Sequence, residues 1–274
     1  TTVVKGACRP KSAFLGQYGQ FYTCELLYYT RDRNGMHIAR ECTPLYTRSG
    51  LRTDWRAFLY ASYAAGLVAR VAVEGLHHRQ VFEATSLLLE SLCRDGANPA
   101  VLFWFEQRLL NSLGLAPRLR ECATCGSVLR RGQEAVFSAA RGGVLCRSCA
   151  GAVPRDSVVE APPDARAILS RWQEADTPHV ALTTRCTPHQ LLVSRRVLGT
   201  FLGYHLDVMR ESRVIALDTG RIGNEEDRFV DRAASCSRLS REAGRFRRHG
   251  IRVARNAATG RSAGNPDRGR TESR

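Results

Sequence analysis

The chain has 274 residues, a formal net charge of +15 and an apolar content of 43%. A chain of this length and composition has enough apolar residues for a substantial core, so a wholly disordered protein is not expected. Of its 41 basic residues 39 are arginines, and a large positive excess favours a polyanionic partner. A GC-rich coding sequence explains the preference for arginine over lysine equally well, but it does not explain the excess itself.

Residues 1–50 have the composition of β-structure. The aromatic and branched residues at 21–29 predict a strand, the Asn34-Gly35 pair predicts a hairpin turn, and residues 36–43 would form the returning strand. Residues 1–6 predict an earlier strand. Basic side chains surround these strands, and we take five of them as candidate phosphate-binding residues: Lys5, Arg9, Lys11, Arg31 and Arg33.

The basic loop at residues 9–12 beside an aromatic strand has two interpretations. Small barrels hold single-stranded nucleic acid in this way, because cations follow the phosphates while rings stack on bases. An ordinary solvated loop beside a core-facing strand fits the same pattern, and the sequence favours neither.

Five helices are predicted from Asp54 to about residue 209. The first spans 54–71, with Trp55, Phe58, Leu59, Leu67 and Val71 as its expected apolar face. The next two span 79–94 and 98–113, the latter with Asn98 as cap and Pro99 at its first position. A short helix capped by Asp164 and a long one from Thr187 follow. Arg195 and Arg196 interrupt the apolar face of the long helix. They are either solvated surface residues or residues that line a pocket for an acidic peptide.

Four of the ten cysteines are clustered. Cys122-x2-Cys125 and Cys146-x2-Cys149 are separated by 20 residues that predict a hairpin, a pattern typical of a structural zinc ribbon at 120–150. Gly126 follows the first pair, where a turn with positive φ is often required. The alternatives are two disulfides, which the absence of a secretory signal disfavours, or a cluster that has lost its metal. Four cysteine ligands leave no open position for a reactant, so catalytic zinc is not expected.

Several functional classes lack support in the sequence. No stretch of about 18 apolar residues predicts a transmembrane helix, and no signal peptide is recognisable, so we expect a cytoplasmic protein without a membrane partner. No phosphate-binding loop, nucleophile motif or useful carboxylate pair is present, so we expect no enzyme activity. Residues 220–274 predict a basic, disordered tail, which is either a nucleic-acid-binding arm or an unselected extension.

Four motifs in order resemble the RecO family of bacterial DNA repair proteins. Residues 3–12 read VVKGACRPKS and resemble the family's VAKGARRPKS strand and loop. Residues 105–117 resemble its FELRLLxxLGYxP helix end, which precedes the first cysteine pair. The Phe137-Ser138 and GGVLC segments resemble its hairpin, and FLGYHL at 201–206 is similar to its closing segment.

The resemblance implies an α+β fold: an OB-fold barrel at 1–50, a helical domain at 51–219 that contains the zinc ribbon, and the tail. It implies a recombination mediator that binds single- and double-stranded DNA and anneals complementary strands. Its partners would be RecR, RecF in some cases, and the acidic C-terminal tail of single-stranded DNA-binding protein, and it would help RecA to load. The expected location is the nucleoid. Arg195 and Arg196 are the candidates for binding the acidic tail.

The sequence departs from the family at its start. The family has two barrel strands before the VVKG strand, whereas only Thr1 and Thr2 precede it here, so we expect a truncated barrel that lacks about 25–30 residues. Missing strands would leave unpaired sheet edges. A zinc-ribbon protein-interaction adaptor with little DNA binding of its own is therefore the alternative function.

Overall fold

The structure is a computed structural model that describes residues 2–5, 7, 9–30, 36–72, 78–206 and 210–218. Two of the predicted DNA-binding residues, Arg31 and Arg33, lie outside the described residues, as does the predicted tail at 220–274. Among the residues described, no helix is both long enough and apolar enough to cross a membrane.

The N-terminal part forms one three-stranded sheet. Strands β1 (Thr2–Val3), β2 (Thr23–Tyr29) and β3 (His37–Tyr46) lie in the order β1-β3-β2, with β1 parallel and β2 antiparallel to β3. The prediction of a hairpin from the two longer strands is confirmed. The described strands form an open sheet, so the closed OB-fold barrel stays a prediction.

The helical domain contains α1 (Trp55–Val71), α2 (Arg79–Asp95), α3 (Pro99–Ser112), α4 (Arg147–Ala150), α5 (Pro163–Glu174), α6 (His179–Thr183), α7 (Pro188–His205) and α8 (Arg210–Asp218). A 3₁₀ turn at Ser49–Arg52 connects the sheet to α1. The five predicted helices are all present, whereas α4, α6 and α8 were not predicted.

The predicted helix starts depend on local hydrogen bonds. The Asp54 carboxylate accepts from the backbone N–H groups of Arg56 and Ala57, and the Asn98 side chain accepts from that of Ala100. Thr187 and Gln190 form a reciprocal capping box at the start of α7. The prediction for α5 was slightly wrong, because Asp164 lies inside its first turn and accepts a hydrogen bond from Gln190.

The predicted apolar face of α1 was wrong in its first turn. Trp55 and Phe58 are exposed, while three alanines, two tyrosines, Val68 and the predicted Leu67 form the buried side of the helix. This side packs against α2 and α8, and small residues allow such close packing. Aromatic periodicity therefore identified the helix but misassigned two of its inward-facing residues.

Helix α3 is the centre of the core. It packs against α2, α5, α6 and α7, and Phe103, Trp104 and Phe105 are all fully buried. The indole N–H of Trp104 donates to the carbonyl oxygen of Ala175 at 2.8 Å, so its one polar atom is satisfied.

A buried ion pair holds α8 against α1 and α3. Arg213 donates from Nε and Nη2 to the two carboxylate oxygens of Glu106, at 2.7 and 2.9 Å, and Tyr63 donates to the same carboxylate at 2.8 Å. Burial opposes the charge on Arg213, but the Glu106 carboxylate outweighs it and raises the pKa of Arg213. A third donor of Arg213 bonds the carbonyl oxygen of Arg195 at 2.9 Å. Sequence patterns gave no sign of this arrangement, although Glu106 lies within one of the motifs quoted above.

Candidate metal centre and basic surfaces

A small hairpin carries the cysteine pairs. Strands β4 (Val136–Ser138) and β5 (Gly143–Leu145) are antiparallel, as predicted, and β6 (Val159–Glu160) pairs with the other edge of β4. Gly126 follows the first pair with φ of 72°, and its N–H donates to the carbonyl oxygen of Cys122 at 2.9 Å. The turn that the sequence predicted at this glycine is therefore present.

The four predicted ligands lie together. The sulfurs of Cys122, Cys125, Cys146 and Cys149 are all within 4.8 Å of one another. None of them is in a disulfide, so the disulfide alternative is wrong. The Cys125 and Cys146 sulfurs are 3.8 Å apart. A tetrahedron with Zn–S bonds of about 2.3 Å has edges of about 3.8 Å, so the cluster fits a zinc ion without rearrangement at this edge.

Backbone N–H groups favour the thiolate form of the first cysteine in each pair. The pKa of Cys146 is lowered to about 6, and the largest cause is a hydrogen bond from the backbone N–H of Cys149. Burial opposes ionisation of Cys122, but N–H groups of Cys125, Cys146 and Thr124 together lower its pKa. The hydrogen bond to Cys146 raises the pKa of Cys149 to about 12. A divalent cation would replace the proton of this thiol, since metal ligands must be thiolates.

The hairpin is part of the helical core. Phe137 of β4 is fully buried and meets Phe201 of α7 edge to face, with ring centroids 5.7 Å apart. The His205 ring lies 4.3 Å from Phe201, and its Nε2 is 3.2 Å from the carbonyl oxygen of Ala139. The ribbon therefore helps to fill the core between β4 and α7.

The predicted basic loop is exposed. Lys5, Arg9 and Lys11 all point to solvent, and the N–H of Ser12 donates to the carbonyl oxygen of Arg9 at 3.0 Å. The loop continues to Gln17, whose carbonyl oxygen accepts from two cysteine thiols of the sheet. The sheet thus anchors a loop with three solvated cations.

The two arginines of α7 border open grooves. Arg195 and Arg196 line a groove with a volume of about 370 Å³. Its other lining residues include Leu192 of α7 and Arg213 and Val214 of α8. Arg195 is held by Asp218 at 2.6 Å. Among the described residues Arg196 makes no ion pair, and it also lines a neighbouring groove of about 270 Å³.

A second basic surface escaped prediction because Trp55 and Phe58 were expected to be buried. Phe58 meets Phe21 edge to face, with centroids 5.5 Å apart. The Arg56 guanidinium lies 5.5 Å from the Trp55 ring. The only sequence signal was the alternation of arginine and aromatic residues at 52–58.

The fold and the cysteine cluster define a class: a helical protein built on one buried helix, with a four-cysteine ribbon inserted between α3 and α5. The family model described as "Recombination protein O C terminal" matches residues 52–213, more than half of the chain. The chain belongs to the RecO family, as its motifs predicted.

Curated relatives agree with this family. The chain is 36% identical over 149 residues to "DNA repair protein RecO" of Roseiflexus sp. (strain RS-1), covering 54% of this chain and 52% of that protein. The protein of the same name from Moorella thermoacetica is 27% identical over 221 residues, 80% of this chain and 79% of the relative. The protein of the same name from Syntrophomonas wolfei is 31% identical over 147 residues, which cover 54% of this chain and 57% of the relative. The chain thus spans little more than half the length of two of these relatives.

Proposed function

We propose that the chain is a DNA repair and recombination mediator. In this role it binds single- and double-stranded DNA, anneals complementary strands and assists RecA loading onto strands coated by single-stranded DNA-binding protein. The family match over residues 52–213, which contains most of the helical domain and the whole ribbon, is the observation that carries the proposal. The protein acts by binding rather than by bond chemistry, in the cytoplasm at the nucleoid.

The basic loop is the proposed DNA contact. Lys5, Arg9 and Lys11 are exposed on a loop tied to the sheet, and this sheet would belong to an OB-fold. Each phosphate that they neutralise releases counterions, so affinity falls with added salt. Arg31 and Arg33 would extend this contact.

Fluorescence anisotropy with labelled oligo-dT tests the DNA role. Between about 50 and 200 mM salt the affinity should fall steeply, and a K5Q/R9Q/K11Q variant should lower the salt slope by about 2 to 3. Arg171→Gln, which removes an exposed charge from α5, is the matched control. Two results would exclude the loop as the phosphate contact: binding that does not depend on salt, or the same salt slope in the triple variant and in Arg171→Gln.

Zinc is the proposed metal, and its role is structural. Cys122, Cys125, Cys146 and Cys149 would hold it, and it would join the two cysteine pairs that frame the hairpin. With four protein sulfurs the ion has no position for a substrate.

The groove beside Arg196 supports a second candidate function, a protein-interaction adaptor. Its apolar floor and its arginines suit a peptide with acidic residues and an apolar end, such as the C-terminal tail of single-stranded DNA-binding protein. RecR and, in some cases, RecF are the further expected partners. Binding of an acidic, apolar-ended peptide should weaken in Arg196→Glu and persist in the control Arg171→Glu. Peptide binding without any DNA binding would favour the adaptor over the mediator.

A further inference from the structure

A surface of arginines and aromatic rings lies where the sheet meets α1. We call it the aromatic–arginine surface, and it consists of Phe21, Tyr22, Arg52, Trp55, Arg56 and Phe58. Phe21 and Tyr22 are half-buried, and the other four residues are exposed. Arg52 donates to the Tyr22 hydroxyl and lies 5.4 Å from the centroid of that ring. Arg56 lies against Trp55, and Phe58 against Phe21. The surface therefore contains two arginine–ring pairs and one pair of rings.

The positive charge of this surface is available to an anion. Within the described part of the chain, neither Arg52 nor Arg56 forms an ion pair with a carboxylate. The nearest acidic residue along the chain, Asp54, accepts backbone hydrogen bonds from Arg56 and Ala57 as the cap of α1. A phosphate approaching the two guanidinium groups would not have to displace a carboxylate.

The backbone beneath the surface is strained. Phe21 has φ of 63° and Arg48 has φ of 47°, and these are the two positive values among the described non-glycine residues. The two strained residues are bonded, because Arg48 Nη1 donates to the carbonyl oxygen of Phe21 at 2.8 Å. Arg48 is more than nine-tenths buried, and its Nη2 lies 3.7 Å from Glu90 Oε1 in an ion pair, while its Nε has no hydrogen-bond partner among the described residues. Such strain persists where the surrounding structure fixes it, often at binding sites.

We propose that the aromatic–arginine surface binds single-stranded nucleic acid, with unpaired bases stacking on Trp55 and phosphates held by Arg52 and Arg56. The inference rests on the proposed DNA role and adds a site that is separate from the basic loop. Stacking requires an unpaired base, so a single strand fits this surface better than a duplex. An acidic peptide would use the guanidinium groups but would leave the exposed indole without a partner.

Trp55 is a built-in reporter of this contact. The chain has three tryptophans, and Trp104 and Trp172 are 0% exposed whereas Trp55 is 49% exposed. Quenching of intrinsic fluorescence by a bound strand therefore reports on Trp55. Trp55→Phe should retain the stacking ring and the affinity but lose the quenching, which confirms the source of the signal.

The test compares two strands with equal phosphate counts, one with bases and one without, and a polyanion that has no phosphate. The full chain is titrated with oligo-dT of about 12 nucleotides, with an abasic strand of the same length, and with polyglutamate. Oligo-dT should quench Trp55, and the other two should not. Trp55→Ala should weaken oligo-dT binding about tenfold and leave abasic-strand binding unchanged. Tyr204→Ala, which removes another exposed aromatic ring, is the control and should change neither.

The outcomes separate this inference from the proposed DNA role. If oligo-dT binds through the basic loop while Trp55 emission stays constant and Trp55→Ala has no effect, the surface proposal is overturned and the DNA role stands. Equal quenching by polyglutamate would indicate an acidic protein partner and would also overturn it. If the unmodified chain binds no oligonucleotide, both proposals fail.

Discussion

Arg213 and Glu106 face each other fork to fork, 107 residues apart in sequence, with both carboxylate oxygens accepting from the guanidinium. The pair is almost completely shielded from water, and Tyr63 adds a third bond from α1. Because neither charge can be hydrated, each depends on the other. This one contact fixes α8 against the central helix.

Removing one member of this pair should be costly. Arg213→Met leaves the Glu106 carboxylate buried with only the Tyr63 hydroxyl, and we expect a loss of about 3–5 kcal/mol in the free energy of unfolding. The double variant Glu106→Gln with Arg213→Met should lose less than the two single variants combined. Urea unfolding of the single and double variants measures these losses in the free energy of unfolding. Strictly additive losses would show that the two residues are not coupled.

Gly199 should not tolerate a side chain. A Cβ at this position would lie 2.7 Å from Arg213 Nη1, a group that its hydrogen bonds hold in place. Gly199→Ala should therefore destabilise the protein by about 1–3 kcal/mol. Gly66→Ala is the matched control, since nothing lies within 4 Å of its Cβ and alanine favours the helix by about 0.5–1 kcal/mol. Thermal unfolding should move in opposite directions in the two variants.

The cysteine cluster should bind one zinc ion per chain. Cys125→Ser should lose the metal and lower the melting temperature, because the hairpin that presents Phe137 to Phe201 would lose its cross-link. Cys186→Ser, outside the cluster, should retain the metal. Elemental analysis of both purified variants checks this. Equal zinc content in the two would exclude the cluster as the metal site.

Arg48 should control the local stability of the segment before β2. Arg48→Met removes the donor for the Phe21 carbonyl oxygen and for the Thr23 hydroxyl, bonds of 2.8 and 2.7 Å. Losing these bonds should lower the free energy of local opening by about 1 kcal/mol, which should speed amide exchange around residues 21–23 about fivefold. The control is Arg94→Met, which removes an exposed arginine from α2. No change in exchange would mean that the strained backbone is held by other contacts.

Features governed by near neighbours in sequence were predictable. Asn98 with Pro99 and the Thr187 capping box set helix starts through bonds within three residues. The cysteine spacing identified the cluster because four thiols in two close pairs have few other uses. These signals do not depend on the rest of the fold.

Features that depend on distant partners were not predictable. Helix α8 is held by Glu106, a residue far away in sequence, so no pattern at 210–218 indicates where it lies. The first turn of α1 was misassigned because alanines, rather than Trp55 and Phe58, face α2 and α8. Periodicity locates the faces of a helix, but the partner elements decide which face is buried.

The contact between Phe137 and Phe201 also limits how the chain can be divided. An appended module could be deleted or exchanged for another at its two connecting points. This ribbon supplies a ring to the interior of the helical domain, so cutting it out would open a hole beside α7. The ribbon and the helices therefore share one hydrophobic core, and a shortened version that keeps this core must keep both.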